Sequence, residues 1–227
     1  MVTLATSDGE VHTEIVDTDA SPLRAGPNTL DVDMGPGLHV EWERPRTWSK
    51  AFGPLGPAQM IPFLGQYWAP HLLDATTRGT YGTRSLDGAH AYSEKNWGAA
   101  FAEHWWWGQA EFVAFAGGRI HGVAPTAIAV WTDRELISLA PPLARTVTRA
   151  AGGEWHVRAQ SPRYRVELTG EAIDPHRLPV PIPGAERRLE IRSSHYLRGA
   201  IDLKVHRGRR LWFSGSSQTA ALEEGAA

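Results

Sequence analysis

Turn residues constrain the fold of this chain more than any other feature. No window of about twelve residues repeats apolar side chains at the helical period, and 23 glycines and 16 prolines divide the 227 residues into short runs. Residues 11–16, 30–33 and 38–43 are β-like and end at turns such as Gly35-Pro36-Gly37. Short runs at this spacing are typical of antiparallel barrels and sandwiches. The pattern therefore predicts an all-β fold with little helix.

Longer segments refine this prediction. Residues 45–62 carry four prolines and several glycines, which disfavour helices and central strands, so we expect a long loop that covers a cavity mouth. Residues 71–92 are expected to form two strands that turn at Asp87-Gly88. Residues 105–116 and 119–131 are expected to form a hairpin around Gly117-Gly118.

Composition excludes several classes of function. A formal net charge of −2 gives no general attraction to nucleic acid or to an anionic membrane. The absence of cysteine excludes disulfides and thiolate chemistry and is compatible with the cytoplasm. The chain has neither a secretory leader pattern nor an apolar stretch of about 18 residues, so we expect a cytoplasmic protein with no integral membrane segment. Zinc-ligand, phosphate-loop, nucleophile-elbow and nicotinamide motifs are also missing, which predicts no metal and no cofactor.

The most informative segment spans residues 90–109 and reads HAYSEKNWGAAFAEHWWWGQ. At the two-residue period of a strand, one face carries Tyr92, Glu94 and Asn96. The opposite face carries Lys95 and Trp97. Beyond a break at residues 98–100, a second run places on one face Trp105, Trp107 and Gln109, with Trp106 behind them. An ionisable group beside several indoles predicts a dry pocket with a proton donor in its wall.

Glu94 is the candidate acid. A carboxyl group buried against apolar rings has its charged form disfavoured and can stay protonated near neutrality. Such an acid can protonate an isolated alkene and generate a tertiary carbocation. A structural ion pair with Lys95 or Arg78 is the alternative role. Tyr92 and Asn96 are expected either to orient the acid or a substrate hydroxyl, or to satisfy backbone groups.

The tryptophans are candidates for substrate binding. Indole faces attract a desolvated cation by about 0.5–2 kcal/mol each, and they exclude water that would quench it. Packing against the opposite sheet is the alternative for each of them. The predicted substrate-binding set is Trp97, Trp105, Trp107, Gln109 and Lys95.

Residues 92–98, followed by Phe101 and then by residues 105–109, resemble the central motif of the tocopherol cyclase family, Y-x-E-K-[ND]-W-G-x-x-F-P-x-x-W-x-W-x-Q. Residues 216–223, SSQTAALE, are similar to the end of that family. Ala102 stands where family members have proline. The resemblance implies lipocalin-like β-barrels, related to the paired barrels of this family and of the carotenoid hydratases. It divides the chain into a truncated or merged N-terminal barrel portion, residues 1–90, and a C-terminal barrel, residues 91–227.

The resemblance also implies a chemistry. It indicates a cofactor-independent cyclase, of the isomerase or lyase class, for a small apolar prenylated or polyketide substrate. Glu94 would protonate an alkene, and an internal hydroxyl would close the ring. Two alternatives remain open: a pericyclic cyclase on the same scaffold, and a carrier of an apolar ligand without chemistry.

Overall fold

A computed structural model describes residues 2–6, 8, 10–14, 20–50, 53–56, 60, 66–181 and 189–227. Within these residues the chain forms eighteen β-strands, all of whose registered pairs are antiparallel, with helix confined to isolated 3₁₀ residues. The prediction of an all-β antiparallel fold is confirmed. No helix in this described part of the chain is long and apolar enough to cross a membrane.

One compact unit contains Met1–Trp48 and His71–Ser93. Two of its strands form a separate ribbon, β1 (Val2–Ala5) and β2 (Val11–Glu14). The others pair in chain order: β3 (Leu23–Ala25), β4 (Thr29–Val32), β5 (Leu38–Thr47), β6 (Gln66–Tyr81) and β7 (Arg84–Ser85). Only the part of β6 from His71 onward belongs to this unit.

The second unit contains Ser49–Pro70 and Glu94–Ala227. It includes the start of β6 and, from Glu94 onward, β8 (Ser93–Gly98), which pairs with β6. Its large sheet has ten described strands: β9 (His104–Ala110), β10 (Val113–Arg119), β11 (Thr126–Trp131), β12 (Leu136–Leu139), β13 (Arg145–Ala151), β14 (Glu154–Gln160), β15 (Tyr164–Ala172), β16 (His176–Pro181), β17 (Leu189–Arg207) and β18 (Arg210–Ala226). They pair in the order β12-β11-β10-β9-β18-β17-β15-β14-β13, and β16 pairs with β17. That each unit is a barrel of its own stays a prediction.

The large antiparallel sheet curls into a half-barrel. Near its two edges, the hydroxyl groups of Thr126 on β11 and Thr148 on β13 lie 2.7 Å apart, and the backbone N–H of Thr126 donates to Thr146. Side chains therefore join strands that do not pair through their backbones. The interior is apolar because the strands alternate: on β14, Trp155 and Val157 are fully buried while their neighbours are exposed.

The loop predicted for residues 45–62 starts later than expected. Pro45 lies inside β5, which continues to Thr47. A bulge shifts the register between Glu43 and Arg46, and Arg44 there has a φ of 52°. A bulge tolerates proline because it interrupts the hydrogen-bond ladder. Much of the remaining segment, residues 51–52, 57–59 and 61–62, lies outside the described residues, and so does the test of whether it covers a cavity mouth.

The hairpin predicted around Gly117-Gly118 is wrong. Both glycines lie inside β10, and the chain turns instead at residues 111–112 and 120–123. The reason for glycine is close packing: a Cβ on Gly117 would lie 2.4 Å from the indole nitrogen of Trp106. A Cβ on Gly118 would lie 2.6 Å from that of Ala102.

Gly117→Ala is therefore expected to destabilise the protein by about 1–3 kcal/mol, the usual effect of overpacking a filled interior. Gly170→Ala is the matched control, because a Cβ on this strand glycine would make ordinary contacts of 3.4 Å with Leu222 and Trp155. Urea unfolding of both variants measures the difference. Equal unfolding midpoints for the two variants would contradict the packing argument.

Tyr196 gives the fold an expected sensitivity to alkali. Its buried hydroxyl donates to Glu224 at 3.0 Å, and burial, together with that hydrogen bond, raises the pKa of Tyr196 to about 12. The neutral phenol is thus favoured in the folded state, whereas an unfolded tyrosine ionises near about pH 10. The stabilisation is complete below that pH and is lost as the pH rises towards 12.

Tyr196→Phe is expected to lower stability at neutral pH and to flatten the decline of the unfolding free energy between about pH 10 and 12. Unfolding free energies measured across this range for both proteins test the expectation. Curves of equal slope would show that this phenol does not control the alkaline limit.

Candidate active site

The carboxyl group of Glu94 lies at the meeting point of three strands of the second unit. Its Oε2 accepts hydrogen bonds from the indole N–H of Trp68, at 2.6 Å, and from that of Trp107, at 2.7 Å. Its Oε1 accepts one from the side-chain amide of Asn96, at 2.7 Å. Trp68 comes from β6, Asn96 from β8 and Trp107 from β9. The group is held in one orientation by donors that are themselves fixed in the sheets.

The nature of these donors decides what the site can do. An indole N–H can only donate a hydrogen bond, so Glu94 is the acceptor in its bonds with both tryptophans. Hydrogen bonds of this kind stabilise the charged form of a carboxylate. Indole faces around a buried, neutral acid were expected from the sequence, whereas the structure presents indole N–H edges to a half-buried carboxyl group. Such edges stabilise the negative charge that develops when the carboxyl group gives up its proton.

A cavity of about 190 Å³ is lined by the side chains that donate to Glu94, whereas Glu94, which is half-buried, is not among the described lining residues. Its wall includes the aromatic side chains of Tyr67, Trp68, Phe101, Trp105, Trp106 and Trp107. Its polar side chains are Gln66, Asn96 and Glu223. All three donors to Glu94 are therefore part of the wall. An apolar cavity of about 150 Å³ is enough to hold benzene, so this one accommodates a ring with a few further carbon atoms.

A second carboxyl group, that of Glu223 on β18, lines the same cavity. Its Oε1 accepts hydrogen bonds from the indole N–H of Trp105, at 2.7 Å, and from the hydroxyl of buried Ser193, at 2.6 Å. Its Oε2 lies 3.4 Å from Nδ1 of His195. Because Trp105 and Trp107 are two residues apart on β9, their indoles lie on the same face of the strand, and each donates a hydrogen bond to one of the two carboxyl groups.

Strand β18 approaches the Trp105 ring closely and fixes its position. A Cβ on Gly225 would lie 2.1 Å from the indole of Trp105, so only glycine leaves room there. On its other side the ring stacks on Phe101, with centroids 5.1 Å apart. These contacts hold Trp105 against the cavity.

The predicted site residues separate into two groups. Glu94 and Asn96 share one face of β8 and meet Trp107, while Trp105 lines the same cavity. The predicted residues outside the described lining of this cavity are Glu94 itself, Lys95, Trp97, Gln109 and Tyr92. Tyr92 is half-buried and lines a cavity of the first unit.

Trp97 and Lys95 occupy the other face of β8. The Trp97 ring stacks on Tyr67 at 5.4 Å, remains 40% exposed, and has the Lys95 ammonium 5.8 Å above it. Trp106 joins the buried core, as predicted, and its N–H donates to Thr126, but it also lines the cavity. Gln109 is half-buried and pairs with Ala114 and Ala221.

Sequence reasoning missed Trp68, Glu223, Ser193 and His195 as site residues. Trp68 precedes Glu94 by 26 positions, and Glu223 follows Trp105 by 118. Glu223 is the last of residues 216–223, which are similar to the end of the family, but that similarity assigned no role to it. Among the described residues, no three histidine, aspartate or glutamate side chains gather as a metal-ligand set.

Comparison with known proteins places this site in a family. Residues 77–226, well over half of the chain, match the family described as tocopherol cyclase-like. The chain belongs to the tocopherol cyclase-like family. No curated protein matches it significantly. Among solved structures it is similar to kievitone hydratase from Nectria haematococca, with a TM-score of 0.49 and 14% identity over 94% of this chain and 70% of that one.

Proposed function

We propose that this member of the tocopherol cyclase-like family is a cofactor-independent enzyme that closes a ring within a small apolar, prenylated substrate. One observation carries the proposal: the side chains that hold the Glu94 carboxyl group, Trp68, Trp107 and Asn96, all line one aromatic cavity. Acid-initiated cyclisation needs a proton donor of fixed orientation close to a space that holds the substrate ring. Family membership supports the same class of chemistry.

The reaction begins with proton transfer from Glu94. The carboxyl O–H bond breaks, and the alkene π electrons form a new C–H bond, which leaves a tertiary carbocation and a carboxylate. The N–H groups of Trp68 and Trp107 stabilise that carboxylate. A hydroxyl of the same substrate then forms a C–O bond to the cation and loses its proton. The product is an isomer of the substrate, so the oxidation state does not change.

The cavity contributes by confinement. A substrate folded so that its hydroxyl lies near the alkene reacts within one molecule. For well-placed groups, this proximity lowers the activation barrier by about 7–11 kcal/mol. The aromatic wall also excludes water, which would otherwise add to the cation and give an alcohol.

The volume of the cavity suggests a test substrate. An ortho-prenylphenol carries one aromatic ring, one trisubstituted alkene and a hydroxyl poised for closure to a dimethylchroman. Its size suits a cavity somewhat larger than one that holds benzene.

Turnover of this phenol in isotopically labelled water tests the proposal. In heavy water we expect dimethylchroman with one deuterium on the carbon next to the quaternary centre. In water enriched in heavy oxygen we expect no label in the product. A labelled tertiary alcohol would instead identify a hydratase, and binding of the phenol without any conversion would identify a carrier.

A further inference from the structure

The second carboxyl group on the cavity has no part in the proton transfer from Glu94. Glu223 is 19% exposed at its side chain and contributes to the cavity wall. Its position is fixed on one oxygen by Trp105 and by buried Ser193, while the other oxygen faces His195 at 3.4 Å. Both oxygens of Glu94 accept hydrogen bonds from its donors, whereas the donors to Glu223 occupy Oε1 and leave Oε2 facing His195 as the place where a proton can be accepted.

The two carboxyl groups accept hydrogen bonds from neighbouring indoles of one strand. Trp107 donates to Glu94, and Trp105 donates to Glu223. The two indoles project from the same face of β9, two residues apart, a spacing of about 7 Å along a strand. A ring-closing substrate presents two reacting groups, an alkene carbon that gains a proton and a hydroxyl that loses one. One carboxyl group is therefore available for each.

We propose that Glu223 is the catalytic base that removes the hydroxyl proton during ring closure, with Ser193, Trp105 and His195 as positioning residues. The inference rests on the proposed cyclase function. As the substrate oxygen forms its C–O bond, its O–H bond breaks and the proton passes to Oε2 of Glu223. The reaction leaves Glu94 ionised and Glu223 protonated.

Regeneration of the enzyme requires that the two proton changes cancel. Glu223 returns its proton to solvent, with His195, which is 26% exposed, beside the oxygen that received it. Glu94 takes up one proton from solvent. Each turnover then consumes and releases one proton, in agreement with an isomerisation.

Glu223→Gln separates the two steps, because the amide oxygen still accepts from Trp105 and Ser193 while the base is lost. With ortho-prenylphenol in heavy water, we expect chroman formation to fall by about 100-fold or more. Deuterium should still enter the recovered phenol, because the cation formed by Glu94 can only return a proton and regenerate an alkene. Glu94→Gln should show neither chroman nor exchange.

The neighbouring Glu224→Gln is the matched control. Glu224 accepts from Tyr196 and is not among the described lining residues, so chroman formation should stay at the parent rate. Chroman formation by Glu223→Gln at the parent rate would overturn the assignment of the base. Failure of the parent protein to cyclise the phenol would instead refute the proposed function, and the base assignment with it.

A second variant covers the case in which Glu223→Gln fails to fold. Glu223→Asp retains the carboxyl group but withdraws it by one methylene, so it should lower the ratio of chroman to exchanged phenol relative to the parent. Glu94→Asp should lower both products together and leave this ratio unchanged. An unchanged ratio in folded Glu223→Asp would also overturn the assignment.

Discussion

Replacing Glu94 with glutamine is expected to lower kcat for chroman formation from ortho-prenylphenol by about 100- to 10,000-fold, the range found when a general acid is removed. Glutamine keeps the shape of the side chain and one oxygen acceptor for the indole N–H groups, but it cannot deliver a proton to an alkene. KM should change little because the cavity wall stays intact. Steady-state kinetics of the parent and the variant measure the effect.

Two further proteins make this result specific. Glu154→Gln removes an exposed carboxyl group from β14 of the same unit and should retain the parent kcat. Glu94→Asp retains the acid at a changed distance and should fall between the parent and the glutamine variant. A pericyclic cyclase would lose little activity in Glu94→Gln, so a mild effect there would contradict acid catalysis.

Removal of the indole donors is expected to have the second largest effect. A hydrogen bond to a charged group contributes about 1.5–3 kcal/mol, so Trp68→Phe and Trp107→Phe should each lower kcat by about ten- to a hundredfold. Phenylalanine keeps an apolar ring in the wall, and KM should therefore change less than kcat. The kcat and KM of each variant, measured with the same phenol, test this expectation.

Trp131→Phe controls for the loss of an indole from the interior. Trp131 is fully buried and donates to the backbone carbonyl of Glu111, but it is not among the described residues of the cavity wall. It should lower stability and leave kcat unchanged. Equal kcat values in all three tryptophan variants and the parent would show that the N–H groups do not stabilise the transition state.

The sequence predicted those features of the site that depend on local geometry. Because a strand has a strict two-residue period, the placement of Asn96 beside Glu94 and of Lys95 beside Trp97 followed from spacing alone. The same period predicted that Trp106 packs in the core, which it does, although it also lines the cavity. The abundance of turns was sufficient to predict an all-β fold.

Features that depend on distant strand pairing were not predictable. Glu223 faces the cavity because β18 pairs with β9, with Glu223 opposite Trp107, across more than a hundred residues. Glycine was equally ambiguous: at Gly117 and Gly118 it permits close packing inside a strand, although the same residues in sequence resemble a turn. No local pattern distinguishes these uses of glycine.

A crystal structure of the Glu94→Gln protein with unreacted ortho-prenylphenol tests the central claim most directly. We expect the alkene carbon that would be protonated to lie about 3–3.5 Å from the side-chain amide at position 94, the separation of groups poised to react. The phenol oxygen should point towards Glu223. A phenol bound with its alkene out of reach of position 94, or bound outside the aromatic cavity, would contradict proton transfer by Glu94.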